Sequence, residues 1–115
     1  MEKRQHKRFP ITGIAALQFE DNGEIKTIQA TLSSISSVGI GLYADNPIEI
    51  NKNVSVTINF ISSGGTKKSV VEGSVVYNKD LGKLHFVGIQ FNEDVNPVNQ
   101  PLLYEHIKNI LTFDK

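Results

Sequence analysis

Val54-Ser55-Val56-Thr57-Ile58-Asn59-Phe60-Ile61 alternates an apolar residue with a polar one from Val54 to Phe60. A period of two belongs to a β-strand with one face buried and one face wet, and the β-branched content suits an extended backbone. The runs on either side repeat the pattern. Downstream, Ser62-Ser63-Gly64-Gly65 turns the chain into a strand over 69–78, and Lys79-Asp80-Leu81-Gly82 turns it into another over 83–91, a hairpin pair. Upstream, a strand over 39–44 ends at Asp45-Asn46-Pro47. Two more, 12–19 and 25–33, meet at Asp21-Asn22-Gly23, where Asn-Gly supplies the positive φ angles of a tight hairpin.

The period changes near the C-terminus. Leu102, Leu103, Ile107, Ile110 and Leu111 recur at helical spacing behind Asn99-Gln100-Pro101, which predicts one helix over about 99–112 with a proline in its first turn. Six antiparallel strands leave two open edges unless the sheet closes on itself, and closure into a small barrel with the helix over one side removes them. The expected fold is therefore all-β: a six-stranded antiparallel barrel with one C-terminal helix. It is read as a single domain, with residues 1–10 as a basic arm and 11–115 as the body.

The 115 residues, 39% of them hydrophobic, can bury about two thirds of their open-chain surface, enough for one core without staples. The absence of cysteine excludes a disulfide framework, thiolate metal sites and a cysteine nucleophile. No apolar run has the length of a membrane span or signal-peptide core, so the expectation is a cytoplasmic protein without membrane insertion. The histidines at 6, 85 and 106 lack the close spacing of a metal site, and His106 reads as a surface or boundary residue. The serines at 33, 34, 36 and 37 have no nucleophile elbow or partner base, so no enzyme is expected. Gly39-Ile40-Gly41-Leu42-Tyr43-Ala44 fits a dinucleotide fingerprint in letters only, because no helix can follow it before Pro47.

Twelve basic and twelve acidic residues sum to zero net charge, but they are segregated. Residues 1–8 carry Lys3, Arg4, Lys7 and Arg8 against Glu2, and the balance of the chain is correspondingly acidic. Both arginines of the chain lie in that opening. Four residues apart, they fall on one side of a helical turn or an extended arm, so two guanidinium forks can converge on one anionic, planar ligand. A guanidinium pairs with phosphate oxygens, donates to guanine O6 and N7, and stacks on a base. Ser34 and Ser36, two apart at a strand end, are expected to face the same way, and Gly39 leaves room for a ligand at the backbone.

Arg4-Gln5-His6-Lys7-Arg8 and Ser34-Ile35-Ser36-Ser37-Val38-Gly39 together resemble the RxxxR and (D/N)xSxxG signatures of the PilZ domain, a bacterial family of small β-barrels that act as cyclic di-GMP receptors. Phe86-Val87-Gly88-Ile89-Gln90-Phe91 is similar to that family's closing strand, and the resemblance runs from Arg4 through the terminal helix. It implies that Arg4 and Arg8 clamp the phosphates and a guanine, that Ser36 hydrogen-bonds the ligand and that Gly39 permits close approach. Ser34 stands where the family places Asp or Asn, a shorter and uncharged substitute.

The resemblance implies a PilZ-like receptor or adapter that binds cyclic di-GMP, needs no other cofactor or metal, and relays the signal to a protein partner in motility, pilus or surface-polysaccharide control. The arm would fold onto the barrel rim as ligand arrives, in a monomer or a homodimer. One alternative is an interaction module on the same fold that has lost the ligand, which Ser34 favours. Another is a single-strand nucleic-acid binder, which the acidic body and core-like phenylalanines disfavour; extended nucleic acid is not an expected partner.

Overall fold

The computed structural model describes residues 7–113, with side chains through Ile110. Strands β1 (Phe9–Pro10), β2 (Gly13–Asp21), β3 (Glu24–Ile35), β4 (Gly39–Ala44), β5 (Asn53–Ser62), β6 (Gly65–Asp80) and β7 (His85–Phe91) precede one helix, α1 (Pro101–Phe113). Six of them form a closed ring of antiparallel pairs in the order β3-β2-β5-β6-β7-β4, with β4 returning to β3. The six strands and the helix expected from the sequence are present. The seventh is the two-residue β1, which pairs Phe9 with Ile35 and Pro10 with Ser34, beyond the stretch of β3 that β2 occupies.

Local chemistry explains the joints. Asn22 and Gly23 have φ of 54° and 82°, the two positive values that a two-residue turn needs to match the twist of β2 and β3. The alternation that defines β5 is realised residue by residue: Val54, Val56, Ile58 and Phe60 are buried inside the ring, while Ser55, Thr57 and Asn59 are half-buried outside. Leu17, Ile35, Ile40, Leu42, Val75, Val87 and Ile89 fill the interior from the other strands. Closure means that each ring strand has a partner on both sides, which answers the edge problem posed by the sequence.

The helix follows a turn held by Asn96, whose Oδ1 accepts from the backbone N–H groups of Val98 and Asn99 at 2.8 and 2.9 Å. Pro101 is its first residue, where a missing N–H costs nothing. Leu103 and Ile107 are buried and Ile110 packs against the core, whereas Leu102 is turned to solvent and the side chain of Leu111 lies outside the described residues. His106 lies edge to face against Phe60, with centroids 5.1 Å apart. Its Nε2 is buried without a hydrogen-bond partner among the described residues, and desolvation holds its pKa below the ordinary 6.5.

Phe60 is thus a fully buried core residue that also meets the helix through His106. Phe60→Ala is expected to lower unfolding free energy by about 3–5 kcal/mol in urea titration. His106 adds a pH term. Its folded pKa is depressed, so the unfolded chain takes up the proton first as pH falls through 6.5, and stability declines from there until the folded value is passed. Urea midpoints measured between about pH 7 and pH 5 should fall for the native chain and fall less for His106→Leu.

Candidate functional site

The basic arm enters the ring through β1, and the buried ring of Phe9 fixes the point of entry. Arg8, the residue before it, is thereby held at the outer surface beside β3. Its Nε donates to the Ser34 hydroxyl at 3.1 Å, joining the two sequence motifs by one hydrogen bond. Arg4 lies outside the described residues.

Register decides what surrounds this pair. Ser34 is opposite Pro10 on one side and Gly41 on the other, and Gly41 is in turn opposite Gly88 of β7. A methyl group on Gly41 would lie 2.8 Å from the Phe86 ring, 3.2 Å from the Ser34 hydroxyl and 3.3 Å from an Arg8 guanidinium nitrogen. The missing side chain of Gly41 thus makes the space in which the guanidinium, the hydroxyl and the aromatic ring meet. In the sequence Gly41 belongs only to the Gly39–Ala44 stretch that fits a dinucleotide fingerprint in letters alone.

The other two expected positions do different work. Ser36 does not share the outward position of Ser34: β3 ends at Ile35, between the two, and Ser36 is fully buried while Ser34 is half-buried. Its Oγ accepts from the Val38 N–H at 3.2 Å and its own N–H donates to the Gly39 carbonyl at 2.9 Å, so it braces the turn from β3 into β4. At Gly39 the crowding comes from β7, since an added methyl would stand 2.5 Å from the Ile89 carbonyl oxygen. Gly39 is a condition for β4 and β7 to lie together, and it also lines the groove beside Arg8.

That groove, about 320 Å³, is lined from β4, β7 and β6, with Gly39, Gly88, Val76, Tyr77 and Phe86 among its lining residues beside Arg8. It falls at the small end of the range for ligand clefts, about 300–1,000 Å³. Alternation along β7 puts Phe86, Gly88 and Gln90 on the outer face, a pattern visible in the sequence. Which strands lie alongside them was not. The described residues contain no cluster of three or more metal-ligating side chains, and no helix among them is long and apolar enough to cross a membrane.

Gly41→Ala should displace both Arg8 and Phe86 and lower stability by about 1–3 kcal/mol. Chemical shift changes around Arg8, Ser34 and Phe86, together with a lower urea midpoint, are the expected observations; unchanged spectra would refute this role for Gly41.

The comparisons agree with this architecture. The Bacillus subtilis inhibitor of motility MotI/DgrA superposes with a TM-score of 0.67 at 17% identity, over 97% of this chain and 53% of that one, so the chain spans about half the length of that protein. The PilZ domain with c-di-GMP of YcgR from Escherichia coli superposes with a TM-score of 0.64 at 12% identity, over 93% of this chain and 91% of that one. No curated protein matches the sequence. The family described as PilZ domain matches residues 2–111, nearly the whole chain including both arginines and the Ser34–Gly39 motif, and the chain belongs to the PilZ domain family.

Proposed function

We propose that the protein is a non-catalytic receptor for cyclic di-GMP that passes the occupancy of its outer groove to a protein partner. The observation that carries this reading is the Arg8–Ser34 hydrogen bond. It sets a guanidinium over Gly41, in the lining of a groove large enough for a base, in a family with a c-di-GMP-bound neighbour. A cation at that place suits a phosphate or the O6/N7 edge of guanine. Arg4, one RxxxR spacing earlier, would bring a second fork onto the same ligand from outside the ring.

The roles of the motif residues follow from their surroundings. Arg8 binds the anion, and Ser34 orients Arg8. Ser36 and Gly39 act at one remove, by fixing the turn and the β4–β7 approach that shape the groove floor. The same turn is tied to the segment leading to α1, since the Phe91 N–H donates to the Val38 carbonyl at 2.8 Å and the Val95 N–H to the Ser37 carbonyl at 2.7 Å. A ligand that shifts Val38 therefore has a short mechanical route to the C-terminal helix, and that helix, with the closing arm, offers the surface whose change a partner can read. The neighbour named an inhibitor of motility makes motility control the first place to seek that partner.

A second reading is an adapter on this fold that no longer takes the ligand. Ser34 favours it, because the Arg8 guanidinium is held by a neutral hydroxyl where Asp would give an ion pair.

Titration calorimetry with cyclic di-GMP decides between them. Saturable binding is expected, weakened roughly 10- to 150-fold in Arg8→Ala by loss of hydrogen bonds from a charged donor, and comparably in Arg4→Ala. Ser34→Asp should tighten it within the same range if its gain at Arg8 reaches the ligand. No heat from the native chain or from Ser34→Asp at high ligand concentration would establish the adapter.

A further inference from the structure

The ring pairs every strand on both sides, but β3 outruns its neighbour. β4 joins it only from Ala30 to Ile35, so Glu24 to Gln29 are paired to β2 on one side and to no strand on the other. β6 has a similar surplus, because β7 meets it only from Gly73 onward. There the edge is covered: the Asn92 N–H donates to the Glu72 carbonyl and the Gln100 side-chain amide to the Val70 carbonyl, both at 2.9 Å. Nothing among the described residues does this for β3. Residues 24–27 are all exposed, and Ile25 is 69% exposed. An open edge with an exposed β-branched side chain is a template for another strand. The charges on this edge are also unevenly matched. Glu24 stands opposite Asp21 across the hairpin, a like-charge pair, and Lys26 bridges to Asp21 at 3.4 Å while Glu24 has no ion pair among the described residues.

We infer that the open half of β3 pairs with the same half of a second copy of the chain, antiparallel about a two-fold axis at Ile25. A sheet continued across two copies keeps its faces, so only residues of the same parity stand opposite one another. With the axis at Ile25, Glu24 of each copy meets Lys26 of the other, and the two exposed isoleucines meet on the outer face. The neighbouring registers fail. An axis at Lys26 sets lysine against lysine, one at Glu24 sets glutamate against glutamate, and one at Thr27 brings Glu24 against Ala30, whose edge β4 already holds. The segment is therefore complementary to itself in one register, which favours a second copy over a foreign strand and makes the contact isologous. With only residues 23–27 paired on each side, the interface belongs to the small, weak class, and association depends on concentration. Ser34 stands nine positions along β3 from Ile25, about 30 Å of extended strand, so both grooves stay open in the dimer. The pairing holds whether or not the groove takes a ligand.

The test is sedimentation velocity of the native chain at rising concentration, with amide hydrogen exchange on the same samples, and of Glu24→Lys and Lys26→Glu, alone and mixed. The native chain should pass from monomer to dimer, more weakly at high salt, with exchange protection growing over residues 23–27. Each single variant sets like charges opposite one another at both cross-strand pairs and should weaken self-association about 10-fold or more. An equimolar mixture of the two puts every lysine opposite a glutamate again, and it should associate at least as tightly as the native chain. A native chain that stays monomeric overturns the pairing. A native dimer without added protection over residues 23–27 places the contact elsewhere and overturns it too, a result that stands even where a variant fails to fold. A mixture of folded variants that associates no better than either alone overturns the register.

Discussion

The pairing of β3 with β4 closes the ring, and most of what is functionally interesting depends on that closure. It runs from Ala30 opposite Ala44 to Ile35 opposite Ile40, and it is turned by three residues in which Ser36 is buried and hydrogen-bonded at both its hydroxyl and its amide. Because the turn is tight, β4 enters beside β3 and must also accept β7 on its other side. Gly39 lets the Ile89 carbonyl come close enough for this. A motif that looks like a set of ligand contacts is thus, at two of its three positions, Ser36 and Gly39, the device that builds the surface on which a ligand could lie.

The same division of labour appears at the arm. Phe9 anchors the chain in the core, Pro10 pairs with Ser34, and Arg8 is delivered to the hollow that Gly41 leaves on β4. A hydrophobic anchor next to a charged residue converts an otherwise free side chain into a positioned one, and the cost of ordering the guanidinium is met by burial of its neighbour before any ligand arrives. The uncharged Ser34 then becomes the tunable element, since it sets how firmly Arg8 is held without changing where it is held.

Much of the fold was legible. The alternation in β5, the Asn-Gly turn and the helical spacing behind Pro101 each have a local cause, and each element appears within a few residues of its expected bounds. The misses also have causes. The two-residue β1 has no period to detect, and β3 extends to Ile35, past its expected end, because pairing to β1 and β4 stabilises residues whose own composition reads as loop. His106, placed at the boundary by its helix position, has a buried ring nitrogen and packs edge to face on Phe60, forty-six positions away in the chain.

By itself, the sequence determined the all-β class, the terminal helix, the segregation of charge and the two motifs, because hydrophobic period, turn chemistry and arginine placement are local properties of the chain. Tertiary structure alone decided which residues share a surface. Ring closure set Gly41 against Gly88 and Ser34, drew Arg8 over them, turned Ser36 inward, and through a bulge brought Tyr77 into the lining of the groove. Register between strands distant in sequence is fixed by the packing of the whole core, and no window along the chain contains it.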